Sequence, residues 1–452
     1  MLQQRIYRTV FIVIVLLVNS TIAIGQIKVS TFHVDASPPI GSPLAYDPTT
    51  EIQSPLSCRG IVIQSDKKPI VLCSIDWLGV ANDAQNEFKK AFAESAGTTA
   101  DRVSIHAIHQ HDAPRCDFAA EKILREFGYG KRSYDVDFCR SVIKRAAAAI
   151  ANSLDNARPV THLGTGQANV EKVASNRRLL GSDGKVKFTR YTATKDPAIR
   201  AMKTGTIDPA LKSLSFWNRD QPIVVLTFYA THPQSYYRTG KANPDFPGLA
   251  RNARETKTGV PHIHFNGAGG NIGAGKWNDG SVENRTVLAG RVEQGMAAAF
   301  DATKKTPIDA STLSWGKSDV QLPVSKFLKE ERCIAILKNK KEKASTHLYA
   351  AKHLVWLRRS AAQTPIQVSC LTINESKTIF MPGELFVEYQ LESQELAPNS
   401  FVSMAAYGEY GMGYIGTAIG YTQGGYETSA NASRVGPGSE KALMDAAKEL
   451  LK

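Results

Sequence analysis

The chain has 452 residues, 42% apolar and 21% charged, with a formal net charge of +13. That balance excludes a disordered or low-complexity polymer and leaves room for one large domain or two ordinary ones. Six scattered cysteines with no C-x-x-C pair exclude a disulfide-dense scaffold. No tandem repeat is visible in the sequence.

Residues 1–25 combine Arg5 and Arg8, the apolar run "FIVIVLLV" and small residues at Ala23 and Gly25. This is the pattern of a secretory signal peptide cut after Gly25, and it predicts an exported protein, periplasmic or secreted. Removing Arg5 and Arg8 leaves a charge of +11. Export makes a nicotinamide or ATP enzyme a poor expectation. Beyond the signal no apolar run is long enough to span a bilayer, so no transmembrane segment is expected in the mature chain.

The mature chain opens with "IKVSTFHVDASPPIG", an edge strand ending in a proline turn. Residues 68–80, "KPIVLCSIDWLGV", form an apolar run suited to a strand covered on both faces, with Cys73 a buried thiol. A helix over "NDAQNEFKKAFAESAG" follows, with Asn82 or Asp83 as its cap. Then come strand "DRVSIHAIHQ", helix "VDFCRSVIKRAAAAIANSLDNA", and strands "THLGTGQANV", "PIVVLTFYATHP" and "PHIHFNG". Helix "NRTVLAGRVEQGMAAAFDAT" is next.

Residues 326–360 hold ten Lys/Arg and three Glu, a net +7, without Gly or Pro. They read as a solvated helical pair or protruding arm, or as a surface for anionic lipid or polysaccharide. No nucleic-acid-binding motif is present, so that partner is not expected. Strand "SKTIFM", helix "ELFVEYQLESQEL", strand "SFVSMAAY", a Gly-rich stretch and a terminal helix, "SEKALMDAAKELLK", close the chain. The alternation predicts an α/β fold: a mixed sheet flanked by helices in a single large domain over 26–452.

The chemistry concentrates at strand ends. "HAIHQHDAP", residues 106–114, carries three of the chain's ten histidines. Strand alternation puts His109 and His111 on one face and His106 on the other, in the core or behind the site. His109 could bind a metal, with His111 close enough to act on a metal-bound water or on substrate. A catalytic zinc needs further His, Cys, Asp or Glu ligands, and no H-E-x-x-H supplies them. His232 in "FYATHPQSYY" ends an apolar strand. Glu384 in "FMPGELF" follows a Pro-Gly turn at an expected helix start, where it could equally serve the helix dipole. "NGAGGNIGAG" (266–275) is not G-x-G-x-x-G and reads as a tight loop beside a substrate. Tyr414, Tyr421 and Tyr426 lie among glycines, either for packing or to ligate a metal or donate a proton.

The ordered set "HQHDAP", "SNRR", "THP", "NGAGGNIG", "PGE" and "YIGTAIGYTQGGYE" resembles the N-terminal catalytic domain of the neutral/alkaline, non-lysosomal ceramidases, across nearly the whole mature chain. The resemblance implies a zinc amidase. It implies His109, His232, Glu384 and Tyr414 as zinc ligands, with His111, Arg177 and Tyr426 as catalytic residues. Zinc lowers the pKa of a bound water to about 7. Tyr426 and Arg177 would stabilise the oxyanion, and His111 would shuttle a proton to the leaving amine.

The chain departs from the family at Asp112 and Ala113, where Ser and Gly are common, and in lacking the C-terminal immunoglobulin-like domain of longer members. The loop "THPQSYYRTGKANPDFPG" also differs. Its Tyr236, Tyr237, Arg238 and Lys241 suit an anionic or hydroxyl-rich ligand, and Tyr236, Arg238 and Asn271 are expected to bind substrate. Three functions follow: a zinc hydrolase of ceramide-like N-acyl amides, a zinc enzyme acting on a polar or anionic glycan, and a non-catalytic binding protein.

Overall fold

Strands and helices repeat one four-stranded core topology three times along the described residues. Residues 25–452 are described by the computed structural model. Residues 1–24, and with them all but the last residue of the expected signal peptide, lie outside the described residues.

The first unit holds β1 (Ile27–Asp35), β2 (Ser57–Gln64), β3 (Ile70–Ile75), α1 (Asp83–Ala96), β4 (Val103–Ala107), α2 (Phe118–Glu126), α3 (Val136–Ser153) and β5 (Arg158–Val160). Its sheet runs β4-β3-β2-β1-β5, and only β3 and β4, joined through α1, are parallel. The second unit holds β6 (His162–Asn169), β7 (Ala210–Asn218), β8 (Gln221–Tyr229), α4 (Asp245–Thr258), β9 (His262–Asn266), α5 (Val282–Asp301) and β10 (Lys304–Pro307). Its sheet runs β9-β8-β7-β6-β10, with β8 and β9 parallel through α4.

The third unit holds β11 (Leu313–Val320), α6 (Glu330–Lys338), α7 (Ala344–Ala361), β12 (Ile366–Ile373), β13 (Ser376–Phe380), α8 (Val387–Leu396), β14 (Phe401–Ala405) and α9 (Ser439–Leu450). Its sheet runs β14-β13-β12-β11, with β13 and β14 parallel through α8. The α/β architecture in a single domain is as expected, but in place of one mixed sheet the described residues build three large ones and several two-stranded pairs. The repeat escapes the sequence because it is one of connectivity, not of residues.

Period-two alternation sorts each strand's side chains between two cores. In the first unit Val62, Val71, Cys73 and Ile75 face α1 and α3, while Ile61, Ile63, Ile70 and Leu72 face inward. The inward set meets Leu214, Phe216 and Leu226 of the second unit and Leu371, Ile373 and Phe380 of the third. Each sheet is therefore covered on both faces, which explains the near-continuous apolar runs. The parallel edge strands meet end to end: Ala107 N donates to Tyr407 O at 3.1 Å, and Ala406 N to Asn266 O at 2.8 Å. His106 sits in this seam, 3% exposed, between Ser104 Oγ and Ala406 O.

Four expectations change. β1 is not an edge strand, because β5 pairs with its first three residues. Asn82 does not cap α1; its side chain donates to Asp117 instead. Glu384 does not open a helix but lies in a two-residue strand, Glu384–Leu385, paired parallel with Tyr414–Ile415. The basic segment is not a protruding arm. Cys333 and Leu337 of α6 and Leu348, Ala351 and Leu354 of α7 bury against Ala120, Ile123 and Leu124 of α2. All six cysteines are buried and unbridged, with the Sγ atoms of Cys58 and Cys73 3.5 Å apart. No helix among the described residues is long and apolar enough to cross a membrane.

Candidate metal centre

The loops that follow β4, β8, β9, β13 and β14 converge where the three sheets meet. β4 ends at Ala107, so strand alternation does not orient the next histidines. His109 takes a left-handed backbone (φ 63°), as does Tyr407 (φ 58°), and the two rings stack 4.5 Å apart. Left-handed backbone at bulky residues is uncommon and needs surrounding packing to hold it. Gly269 and Gly270 allow the close meeting of loops. A Cβ on Gly269 would stand 2.0 Å from Thr231 O, and one on Gly270 2.4 Å from Glu384 O. "NGAGG" thus approaches the neighbouring site loops, "THP" and "PGE".

His109, His111 and His232 form a buried cluster whose ligand atoms all lie within 4.8 Å of one another. Partners assign their tautomers. His109 Nδ1 lies 2.7 Å from Leu78 O and must donate to that carbonyl, leaving a lone pair on Nε2. His232 Nδ1 likewise faces Gly269 O at 3.3 Å. His111 differs: its Nδ1 receives the Gln234 amide nitrogen at 3.3 Å and lies 3.0 Å from Tyr46 Oη. Its proton therefore sits on Nε2, pointing at His232 Nε2, 2.9 Å away. Burial, then neighbouring charges including Arg177, push His111 and His232 well below the usual histidine range, so both stay neutral.

Glu384 Oε2 stands 3.2 Å from His109 Nε2, and neither atom has a hydrogen-bond partner among the described residues. Its other oxygen accepts from Tyr410 Oη. Burial alone would raise the Glu384 pKa, but His109, Tyr410 and Arg177 hold it below the ordinary value, so it is a carboxylate. Two imidazole Nε2 atoms and a carboxylate oxygen, all buried, are a donor set that fits a zinc ion. Tyr414 Oη accepts from Arg177 Nη2 at 2.8 Å, and the Tyr414 ring runs parallel to His232 with centroids 6.5 Å apart. Arg177 is fixed by Glu427, whose Oε1 lies 2.7 Å from Arg177 Nε and whose Oε2 accepts from Arg178 Nη1 at 2.9 Å. Tyr426, 39% exposed, sets its ring edge-on to Tyr414 at the mouth.

The centre opens into a cavity of about 340 Å³. Its walls bring together all seven of His109, His111, Arg177, His232, Glu384, Tyr414 and Tyr426. Three expected substrate contacts are placed outside that lining. Asn271 commits its amide to α8, donating to Glu388 and accepting from Val387 N. Tyr236 lies against Arg285, whose guanidinium is 4.3 Å from the ring centroid. Arg238 is exposed and pairs with Asp47 at 3.5 Å. Sequence reasoning missed Tyr46, Arg115, Tyr349, Lys352, Tyr410 and Arg434, which do line the cavity. A signal existed for two of them: Tyr349 and Lys352 are three apart, on one helical face of the basic segment.

Neither the known family models nor the curated proteins give a match to the sequence. Solved structures do share the fold. They include a ceramidase complexed with C2 and the neutral ceramidase from Pseudomonas aeruginosa, each at a TM-score of 0.69 and 15% identity. Both alignments cover 94% of this chain, and 75% and 74% of the respective ceramidase chains. The chain therefore has the ceramidase fold that the motifs implied.

Proposed function

We propose that the protein is an exported zinc-dependent hydrolase that cleaves an N-acyl amide. The observation that carries this reading is the convergence of His109 Nε2, His232 Nε2 and Glu384 Oε2, all buried, on one open cavity, with His109 Nε2 and Glu384 Oε2 lacking hydrogen-bond partners among the described residues. His109, His232 and Glu384, with Tyr414, would hold the metal. Bound zinc would supply a water activated at neutral pH. His111, beside His232 in the same cavity, would relay a proton, taking one from the attacking water and passing one to the leaving nitrogen. Arg177 fixes the Tyr414 hydroxyl, and Tyr426 can donate to the substrate carbonyl oxygen. Water adds across the C–N bond, giving a carboxylic acid and an amine.

Export rests on the residue pattern of positions 1–25 and is tested by the N-terminus of the mature protein. The fold motivates the amide. The cavity wall motivates a polar group on the substrate, because Leu78 and Ala432 are the only aliphatic side chains among its described lining residues. The test is metal analysis with an amidase assay. Purified protein should carry about one zinc per chain, and a His109→Ala variant should carry none. Zinc-loaded protein should release fatty acid from simple N-acyl amides. His111→Ala should keep its zinc and lose turnover. Loss of zinc from His111→Ala would make that residue a ligand, and an inactive zinc-loaded wild type would defeat the hydrolase.

A further inference from the structure

Three cationic side chains reach the cavity from separate segments and form no ion pair among the described residues. Arg115 comes from the short strand Arg115–Asp117, Lys352 from α7, and Arg434 from the segment before α9. Arg115 and Arg434 are 8% and 3% exposed. Arg115 donates to Ala45 O, but among the described residues its Nε is buried without a partner, and so is Arg434 Nε. Lys352 Nζ lies 6.0 Å from the Tyr410 ring centroid and forms no ion pair among the described residues. The buried Arg177 and Arg251 show the contrast, with carboxylates at 2.7 and 2.6 Å.

The carboxylates nearest Lys352 are committed elsewhere. Glu384 engages His109 and Tyr410, while Asp117 engages Asn82 and the first turn of α2. Burial, then the charges of Arg115 and Arg434, hold the Lys352 ammonium well below the usual lysine range. Burial and like charges in one cavity both disfavour the charged form. Uncompensated buried charge is costly unless a ligand completes the site. Tyr46, Tyr349 and Tyr426 line the same space, so hydroxyl donors stand beside the cations.

We infer that the cavity takes an amide substrate bearing an anionic group, a carboxylate, sulfonate or phosphate, which Arg115, Lys352 and Arg434 bind beside the metal centre. The amide bond rests on the hydrolase reading; the anion site rests on the three cations alone. Arg238 and Lys241, the cations that the loop sequence suggested for this purpose, are instead exposed and paired with Asp47 and Glu51.

The experiment compares probes of one acyl chain and similar size: N-lauroylethanolamine, N-lauroylglycine, N-lauroyltaurine and N-lauroyl-O-phosphoethanolamine. Affinity is read by calorimetry and turnover by released laurate, on zinc-loaded wild type and on Lys352→Met and Lys352→Arg. Wild type should favour at least one anionic probe over the neutral one by roughly 10- to 100-fold, the scale of a hydrogen bond to a charged group. Lys352→Met should lose most of that ratio, and Lys352→Arg should keep it. The ranking of the three anions identifies which group the site takes. Discrimination in binding without hydrolysis of any probe upholds the anion site and defeats the hydrolase. Equal affinity for neutral and anionic probes overturns the anion site, whether or not they are hydrolysed. So does a preference that survives Lys352→Met and disappears on chelation, which would put the anion on the metal.

Discussion

The carboxylate of Glu384 is shared between a ligand face and a support face, and the support is a single hydroxyl. Tyr410 Oη donates to one oxygen and leaves the other facing His109. Partners of this kind orient metal ligands, and their loss typically weakens metal affinity 10- to 100-fold. Tyr410→Phe should therefore weaken zinc binding by about that factor, measured by competition with a chromophoric chelator, while the circular dichroism spectrum is unchanged. An unaltered zinc affinity would show that Tyr410 is packing only. At this scale the sequence was informative where a residue ends an apolar strand, as His232 and Glu384 nearly do. It was uninformative for Asn271, Tyr236 and Arg238, whose direction depends on what else a loop meets. Arg434 was invisible because nothing local marks an arginine that will be buried beside residues hundreds of positions away.

Among the elements, the α6–α7 pair converts a charge-rich stretch into part of the cavity wall. One face of α7 docks on α2 through Leu348, Ala351 and Leu354, and Tyr349 and Lys352 on another face point into the cavity. Leu354→Ala removes a fully buried side chain from that docking cluster. It should cost about 2–5 kcal/mol in denaturant unfolding. It should also weaken binding of an anionic probe while zinc content stays at the wild-type level. Coupled loss of zinc would place the helical pair in the support of the metal as well. The charge count of this segment suggested a solvated surface because net charge does not say which residues of a helix face water. Asp112, where the family pattern departs, has an elemental role too. It accepts from both N and Oγ1 of Thr239, tying the His232 loop to the His109 loop.

For the whole molecule, pH is the simplest probe of the shared interior. Burial holds His106, His262 and His264 at about 4 and His353 at about 3, below their unfolded value of 6.5. The unfolded chain binds more protons there, so each contributes stability that is present above pH 6.5 and is lost as pH falls through the folded value. Burial raises Asp117 and Asp245 to about 6, and these act in the opposite sense, losing stability as pH rises from about 4 to 6. Four imidazoles outweigh two carboxyls, because each tenfold change in proton affinity is worth about 1.4 kcal/mol. The melting temperature should fall from pH 6.5 to 4, and a flat profile would contradict this burial. Individual strands were legible because two-sided covering leaves apolar runs. The triplication was not, since three sheets can share a topology while their residues diverge. That topology also dictates an order of events. His109 belongs to the first unit, His232 to the second and Glu384 to the third, so no unit alone offers more than one of these donors. Tight zinc uptake during refolding should therefore lag the recovery of far-ultraviolet circular dichroism, reporting the docking of three preformed pieces. Simultaneous recovery of the two signals would instead mean that the pieces never exist apart.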